Sequence, residues 1–359
     1  MENIEFVLNN AASGSISSQL LASGFDTNVL RPFVGPDGRS YINHNTGKLD
    51  DNGNPIVNAY VTNAGATLRK DEWEYVDDVV VKAARKRLKI VNWLRNSGLA
   101  VNLPNGFGKT VYQYERQSDI SAARVSMDAL SPGDNDRPTY DLVNLPLPII
   151  SKEVTMSSRQ LATSRNGNTP LDTSMLELAA IKVAEEAEKL HLGTFGTFTF
   201  GGATLYGLTN FPSRITGSAA DPAGGSWVPN DTYTNVIAMI QAAYDKLHYG
   251  PFKLWYSTGF MQYMMRPFST SYDSTSLQRM IEQIPQISSV EICDYLTGNQ
   301  LLLVQEDSST VRTIIGMDIQ TVQWQERGGL LEKFRVMAMM VPQMKVDINS
   351  NCGIVHYSV

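Results

Sequence analysis

Apolar residues recur every third or fourth position from Trp73 through Val76, Val80, Ala84, Leu88, Val91 and Leu94. That spacing predicts one helical stretch within "TLRKDEWEYVDDVVVKAARKRLKIVNWLRNSGL", stopped by Gly98. Asp71, Glu72, Glu74, Asp77 and Asp78 load its start, and Lys82, Arg85, Lys86, Arg87, Lys89 and Arg95 load its end. This order complements the helix dipole. The basic cluster could face nucleic acid, but a solvated face with dipole compensation accounts for it more simply. A second helix is expected from Thr169 as N-cap and Pro170 in the first turn, through "SMLELAAIKVAEEAEKLHL" to Gly193. Leu176, Ala180, Val183, Ala187 and Leu190 form its stripe, with Glu177, Glu185, Glu186, Glu188 and Lys189 largely off it. At about 24 residues it would span roughly 36 Å. A third helix, "DTYTNVIAMIQAAYDKL", carries Ile237, Ile240, Tyr244 and Leu247 on one stripe and is broken by Gly250-Pro251.

Beyond that break, "FKLWYS" reads as a buried strand. "TGFMQYMMR" and "SLQRMIEQI" read as short helices ended by Pro267 and Pro285. Strands "SSVEIC", "QLLLVQE" and "VRTIIGM" follow, and "IQTVQWQER" with "LLEKFRVMAMMVPQMKVD" forms a long hairpin about Gly328-Gly329. The fold class is therefore α+β.

Two segments lack a core of their own. From Thr110 to Val154 the period is that of strands: Tyr112 and Tyr114 alternate with Val111, Gln113 and Glu115, and Val125, Met127 and Ala129 alternate with Arg124, Ser126 and Asp128. "SPGDNDRP" supplies a turn, and Pro146 and Pro148 keep part of the return strand out of a central ladder. A two-stranded ribbon of this kind is marginal alone and asks for a partner surface. Residues 1 to about 66 are rich in Asn, Gly and Ser, and "GPDGRSYINHNTGKLDDNGNPIVN" is a chain of turn signals. Such a segment is expected to be disordered or held by something else.

Composition narrows the function. The 359 residues, 42% apolar and 18% charged, describe an ordinary globular chain. "MENIEF" has no apolar signal region, no removal of a large N-terminal segment is expected, and no run approaches the roughly 20 apolar residues of a membrane span. Cys293 and Cys352, far apart, exclude a disulfide scaffold. A net charge of −6 argues against a chain whose main task is gripping phosphates.

Candidate chemistry fades on inspection. "NLPNGFGKT" matches the end of a phosphate-binding loop at Gly108, Lys109 and Thr110, but Leu103 holds the first glycine position and "TVYQYERQ" alternates as a strand. Asp50, Asn52 and Asn54 have calcium-loop spacing, but Pro55 replaces the required Gly. Glu188 and His191 make Glu-x-x-His once only, which favours a solvated face over a di-metal site. His44, His191, His248 and His356 share no motif. No catalytic, cofactor-binding or metal-binding residue is assigned, and the chain is not expected to be an enzyme.

The order of pieces resembles the major capsid proteins of tailed bacteriophages, in the encapsulin-like branch of the Hong Kong ninety-seven type fold. The resemblance is carried by "LRKDEWEYVDDVVVKAARKRL", "EEAEKLHLG", "LYGLTNFP", the Tyr249 to Tyr256 unit and "FRVMAMMVPQMKVD". It implies an N-terminal arm over 1–66 and a peripheral domain over 67–104, 154–205 and 319–359. It also implies an extended loop over 105–153 and an axial domain over 206–318. It further implies pentamers and hexamers building an icosahedral head around double-stranded DNA held without sequence specificity. Partners would be many copies of the chain, a portal, and scaffold or decoration proteins, with no membrane. The chain would be made in the host cytoplasm and reside in the virion. The alternative is the shell of an encapsulin-type compartment holding cargo enzymes. Some relatives cross-link through a loop lysine, but Val111 to Ser151 holds none, so non-covalent contacts are expected. Tyr112, Tyr114, Arg116 and Arg124 are the candidates for contact between subunits, given the aromatic and Arg enrichment of interfaces.

Overall fold

The computed structural model describes residues 31–49, 55–61, 68–104, 106–117, 120, 123, 125, 127, 137–166, 173–268, 275–327, 330–347 and 349–359. In chain order the elements are β1 (Phe33–Val34), β2 (Ser40–Leu49), β3 (Pro55–Val61), α1 (Lys70–Arg85), α2 (Lys89–Asn96), β4 (Ala100–Asn102), β5 (Val111–Gln117) and β6 (Tyr140–Pro146). Then come β7 (Ile150–Ser157), α3 (Ser158–Asn166), α4 (Ser174–Leu192), β8 (Phe198–Phe200), β9 (Ala203–Leu205), β10 (Ile215–Ser218), α5 (Pro229–Tyr244) and β11 (Phe252–Ser257). The chain closes with α6 (Met261–Met264), α7 (Leu277–Glu282), β12 (Ile287–Cys293), β13 (Gln300–Gln305), β14 (Val311–Glu326), β15 (Leu331–Met344) and β16 (Ile354–Ser358). Two compact units result: residues 1–110, 147–189 and 313–341, and residues 111–146, 190–312 and 342–359.

The first unit is built on a sheet of order β4-β14-β15-β7, with β4 parallel to β14 and β7 antiparallel to β15. Its core joins Trp73, Val76 and Val80 of α1, Leu176, Ala180, Val183 and Ala187 of α4, and Phe334, Val336 and Met340 of β15. Glu72 starts α1 by accepting the Arg69 N–H at 2.8 Å. Gly98, with φ of +71°, ends α2 while the Leu99 N–H returns to the Leu94 carbonyl, a left-handed helix stop. The expected single helix is therefore two, broken at 86–88. The physical reason is a buried carboxylate: Glu188 accepts the Ile90 N–H at 2.5 Å and so starts a new helix there. This corrects the solvated-face reading, because Glu188 and His191 are 1% and 0% exposed.

Other expectations shift in register. α4 begins at Ser174, with Thr173 accepting the first helical bond from Glu177, so it has 19 residues; Thr169 and Pro170 lie outside the described residues. The turn-rich segment holds strands β2 and β3, paired antiparallel with Tyr41 opposite Val61 and Ile42 opposite Tyr60. Phe33 and Tyr41 stack at 5.9 Å and anchor that ribbon to the first core. Asp50, Asn52 and Asn54, whose calcium-like spacing Pro55 interrupts, lie outside the described residues. "VRTIIGM" and "IQTVQWQE" merge into one strand, β14.

The second unit centres on a sheet of order β10-β16-β13-β11-β12. All six residues of β11 are buried, as a strand flanked on both sides requires. On α5 the buried residues are Thr232, Val236, Met239, Ile240 and Ala243, while Ile237 is 45% exposed and Leu247 lies beyond the helix with φ of +61°. The expected stripe was thus rotated, because Val236, Met239 and Ala243 meet the sheet instead. The grouping of 154–205 and 319–359 with 67–104 also changes. Strand β16 pairs with β10 and β13, and the turn after α4 takes residues 190–205 into the second unit.

That turn is "LYGLTNFP". Its Leu208 and Thr209 N–H groups donate to the His191 and Leu192 carbonyls at 2.9 and 2.8 Å. Asn210 accepts the Gly207 N–H at 2.6 Å and donates to the Gly193 carbonyl at 3.2 Å. The motif thus caps the carbonyl end of α4. Gly207 is required because a Cβ there would collide with the Gly193 backbone.

Candidate assembly surface

Strands β5 and β6 pair antiparallel along their whole length, from Val111 opposite Pro146 to Gln117 opposite Tyr140. The two-residue period sorts the ladder into two faces. One face carries Tyr112, Tyr114 and Arg116, opposite Leu145, Val143 and Asp141. Tyr112 and Tyr114 are half-buried with rings 6.4 Å apart. The Tyr114 hydroxyl donates to the Met344 carbonyl at 3.4 Å, and burial pushes its pKa up. Arg116 donates to the Ser350 hydroxyl at 3.2 Å. Three of the four candidates therefore share one face, tied to the closing segment of their own unit; Arg124 lies outside the described residues.

The other face meets the β8–β9 hairpin at its root, where Asn144 donates to the Gly201 carbonyl at 3.5 Å, and is open beyond it. Leu142 and Tyr140 are 60% and 63% exposed, opposite Glu115 and Gln117. Toward the tip, Ile120 is 54% exposed, and Val125 and Met127 have nearly all of their surface in water. Val125 and Met127 belong to no strand, and the rest of the alternation read across them, Arg124, Ser126, Asp128 and Ala129, lies outside the described residues. An aliphatic side chain held fully outside a ribbon has nothing of its own chain to bury against. The signal was legible as apolar residues at β6 and the tip, but aromatic and Arg enrichment drew attention to the inner face.

The root of the ribbon answers the question raised by "NGFGKT". A short 3-10 turn, Gly106–Gly108, leads directly into β5 rather than into a helix. A Cβ on Gly106 would strike the backbone of Gly316 in β14, so this glycine serves a close chain crossing. Where a phosphate loop opens a helix, the chain after Lys109 enters strand β5.

Two further apolar surfaces are uncovered. In the second unit a cleft of about 460 Å³ is lined by Tyr233, Ile237, Tyr244, Met280, Ile284 and Pro285. In the first unit, Met175 and Leu178 of α4 stand 42% and 61% exposed beside Val154 and Thr155 of β7. The basic cluster is partly engaged within the chain: Lys82 with Asp78 at 2.6 Å, Arg95 with Asp318 at 2.7 Å and Arg87 with Glu185 at 3.8 Å. Among the described residues, no group of three His, Cys, Asp or Glu is placed to hold a metal, and no helix is long and apolar enough to cross a membrane.

The comparisons agree with the geometry. Residues 63–357 match the model of DUF6260, a family of unknown function. The type 1 encapsulin shell protein EncA of Myxococcus xanthus is 22% identical over 291 residues, spanning 80% of this chain and 93% of that protein. The capsid of Myoviridae phage XM1 superposes with a TM-score of 0.58 at 13% identity, covering 73% of this chain and 90% of that one. A virus-like particle from Pyrococcus furiosus superposes with a TM-score of 0.55 at 12% identity, covering 79% of this chain and 98% of that one. The fold is the Hong Kong ninety-seven type capsid fold, in an encapsulin-like form.

Proposed function

The chain belongs to the family of unknown function DUF6260, and from its capsid fold we propose that it is a self-assembling shell subunit rather than an enzyme. The observation that carries the proposal is the ribbon β5–β6, whose outer face and tip hold Tyr140, Leu142, Ile120, Val125 and Met127 in water. In a shell these residues lie against a neighbouring copy, with the stacked Tyr112 and Tyr114 and, beside them, Arg116 bracing the ribbon from behind; Arg124 is a further contact of the same loop. A specific contact of that kind buries on the order of 800 Å² per side. Residues 1–66 act as an arm, 105–153 as the extended loop, and the five-stranded unit as the axial domain. The first unit forms the peripheral wall.

The finer reading is a phage head around double-stranded DNA, located in the virion and served by portal, scaffold or decoration proteins. A net charge of −6 suits a wall that must release packaged DNA. A compartment shell enclosing cargo proteins is the second reading, favoured by the likeness to EncA. Particles purified from the native source and treated with nuclease separate the two. Protected double-stranded DNA of uniform length supports the head, co-purifying enzymes without DNA support the compartment, and absence of particles overturns the shell proposal.

A further inference from the structure

Ser350, in the turn that joins β15 to β16, has φ of +60°, a left-handed conformation that a residue with a Cβ rarely adopts. Asp347 holds it there. The Asn351 N–H donates to the Asp347 carboxylate at 2.6 Å, and the Asp347 N–H donates to the Asn351 carbonyl at 2.8 Å. The Ser350 N–H donates to the Asp347 carbonyl at 3.0 Å. The turn is planted on the second unit. His248 Nε2 lies 3.8 Å from the Asp347 carboxylate, and its Nδ1 meets Gln305 Oε1 at 2.9 Å. Cys352 and Gly353, which follow, are buried.

Backbone strain of this kind persists only where the surroundings over-determine it, and it gathers where a group has to be aimed. Here the aimed group is the Ser350 hydroxyl, which accepts from Arg116 Nη2 at 3.2 Å. On the same ladder face, the Tyr114 hydroxyl donates to the Met344 carbonyl at 3.4 Å. The root of the ribbon is held separately, by Asn144 on the Gly201 carbonyl. The root contact decides where the ribbon leaves the unit, whereas those at Tyr114 and Arg116 decide its direction. We propose that the turn closed by Asp347 and Asn351 is a strained bracket that aims the β5–β6 ribbon through Arg116, making Ser350 and Arg116 positioning residues for assembly. The inference rests on the shell reading. A ribbon free to swing loses that freedom when it docks on a neighbour, and a ribbon already aimed by its own chain has less to lose. The same aim in every copy also presents Tyr140 and Leu142 to each neighbour in the same way.

Ser350→Gly separates aim from stability, because glycine accepts the left-handed backbone and lacks the hydroxyl. The variant subunit should melt at or above the wild-type temperature. A spin label on Leu142→Cys, the two native cysteines being buried, should nonetheless move more freely than in wild type, below the concentration at which subunits assemble. Without the label, the concentration needed for assembly should rise about fivefold in Ser350→Gly. Arg116→Ala should do the same, and the double variant no more than either single one. Unchanged label mobility, or additive losses in the double variant, overturns the bracket. A Ser350→Gly subunit that melts lower overturns it too, since the turn is then a structural support alone. If the wild type itself forms no particles, the shell reading fails, and a label that loosens still establishes the bracket.

Discussion

Strand β11 and the ribbon β5–β6 both carry aromatic residues at strand spacing and meet opposite fates. β11, "FKLWYS", lies between β12 and β13 and buries all six residues. β5, "VYQYERQ", has one ladder partner and leaves Gln113, Glu115, Arg116 and Gln117 exposed, with Tyr140 and Leu142 outside on β6. Strand spacing is common to both, and composition together with the number of neighbours separates them: β11 is mostly apolar between two strands, and β5 is largely polar beside one. A strand with sheet on both sides is complete in one chain. A ribbon that leaves Tyr140 and Leu142 in water among polar neighbours is completed by another surface, and in a shell that surface is a second copy.

The contrast breaks most sharply at Trp255, 0% exposed in β11. Trp255→Ala should cost about 3–5 kcal/mol and lower the melting temperature of the purified chain whatever its assembly state. Scanning calorimetry reads it. The next effect belongs to Glu188. Its folded carboxyl stands near 7 against about 4.3 unfolded, so its contribution is full below pH 4.3 and lost as pH rises to 7, on the order of 3 kcal/mol. Unfolding in denaturant at pH 5 and 8, with Glu188→Gln as control, checks the sign.

On the ribbon the order of effects inverts. Leu142→Glu with Met127→Glu should change the stability of the isolated subunit by less than about 0.5 kcal/mol, since both side chains are already in water. The same pair should abolish assembly, seen as loss of the fast-sedimenting species in velocity ultracentrifugation. The smallest effect is expected at Lys82→Ala, which removes an exposed i,i+4 pair with Asp78 worth about 0.3–0.5 kcal/mol. Its melting temperature should match wild type at high salt.

Much of the architecture was legible where periodicity was long and one-sided. The stripe of α4, the buried β11, the final pair β14 and β15 and the stop at Gly98 follow from local patterns. What escaped was set by distant groups. The break between α1 and α2 depends on Glu188, almost a hundred residues away, and no pattern near 86–88 announces it. The rotation of the α5 stripe was decided by which side met the sheet, since Ile237 and Ile240 are equally apolar. Gly108, Lys109 and Thr110 resemble the end of a phosphate loop by letter alone, whereas the glycine with a steric task in that stretch is Gly106, at a close chain crossing. At the ribbon, the residues singled out from the sequence, Tyr112, Tyr114 and Arg116, lie on its inner face. Only the register of β5 on β6 reveals that Tyr140 and Leu142 are the ones turned outward.

The central claim is that the ribbon's open face is closed by another copy of the chain. Mass photometry of the purified protein beside the Leu142→Glu, Met127→Glu variant tests it most directly. The account predicts closed megadalton particles for the wild type and single subunits or small rings for the variant, with equal melting of the isolated subunits. A wild-type chain that stays a stable monomer, or a variant that assembles as well as wild type, would contradict it.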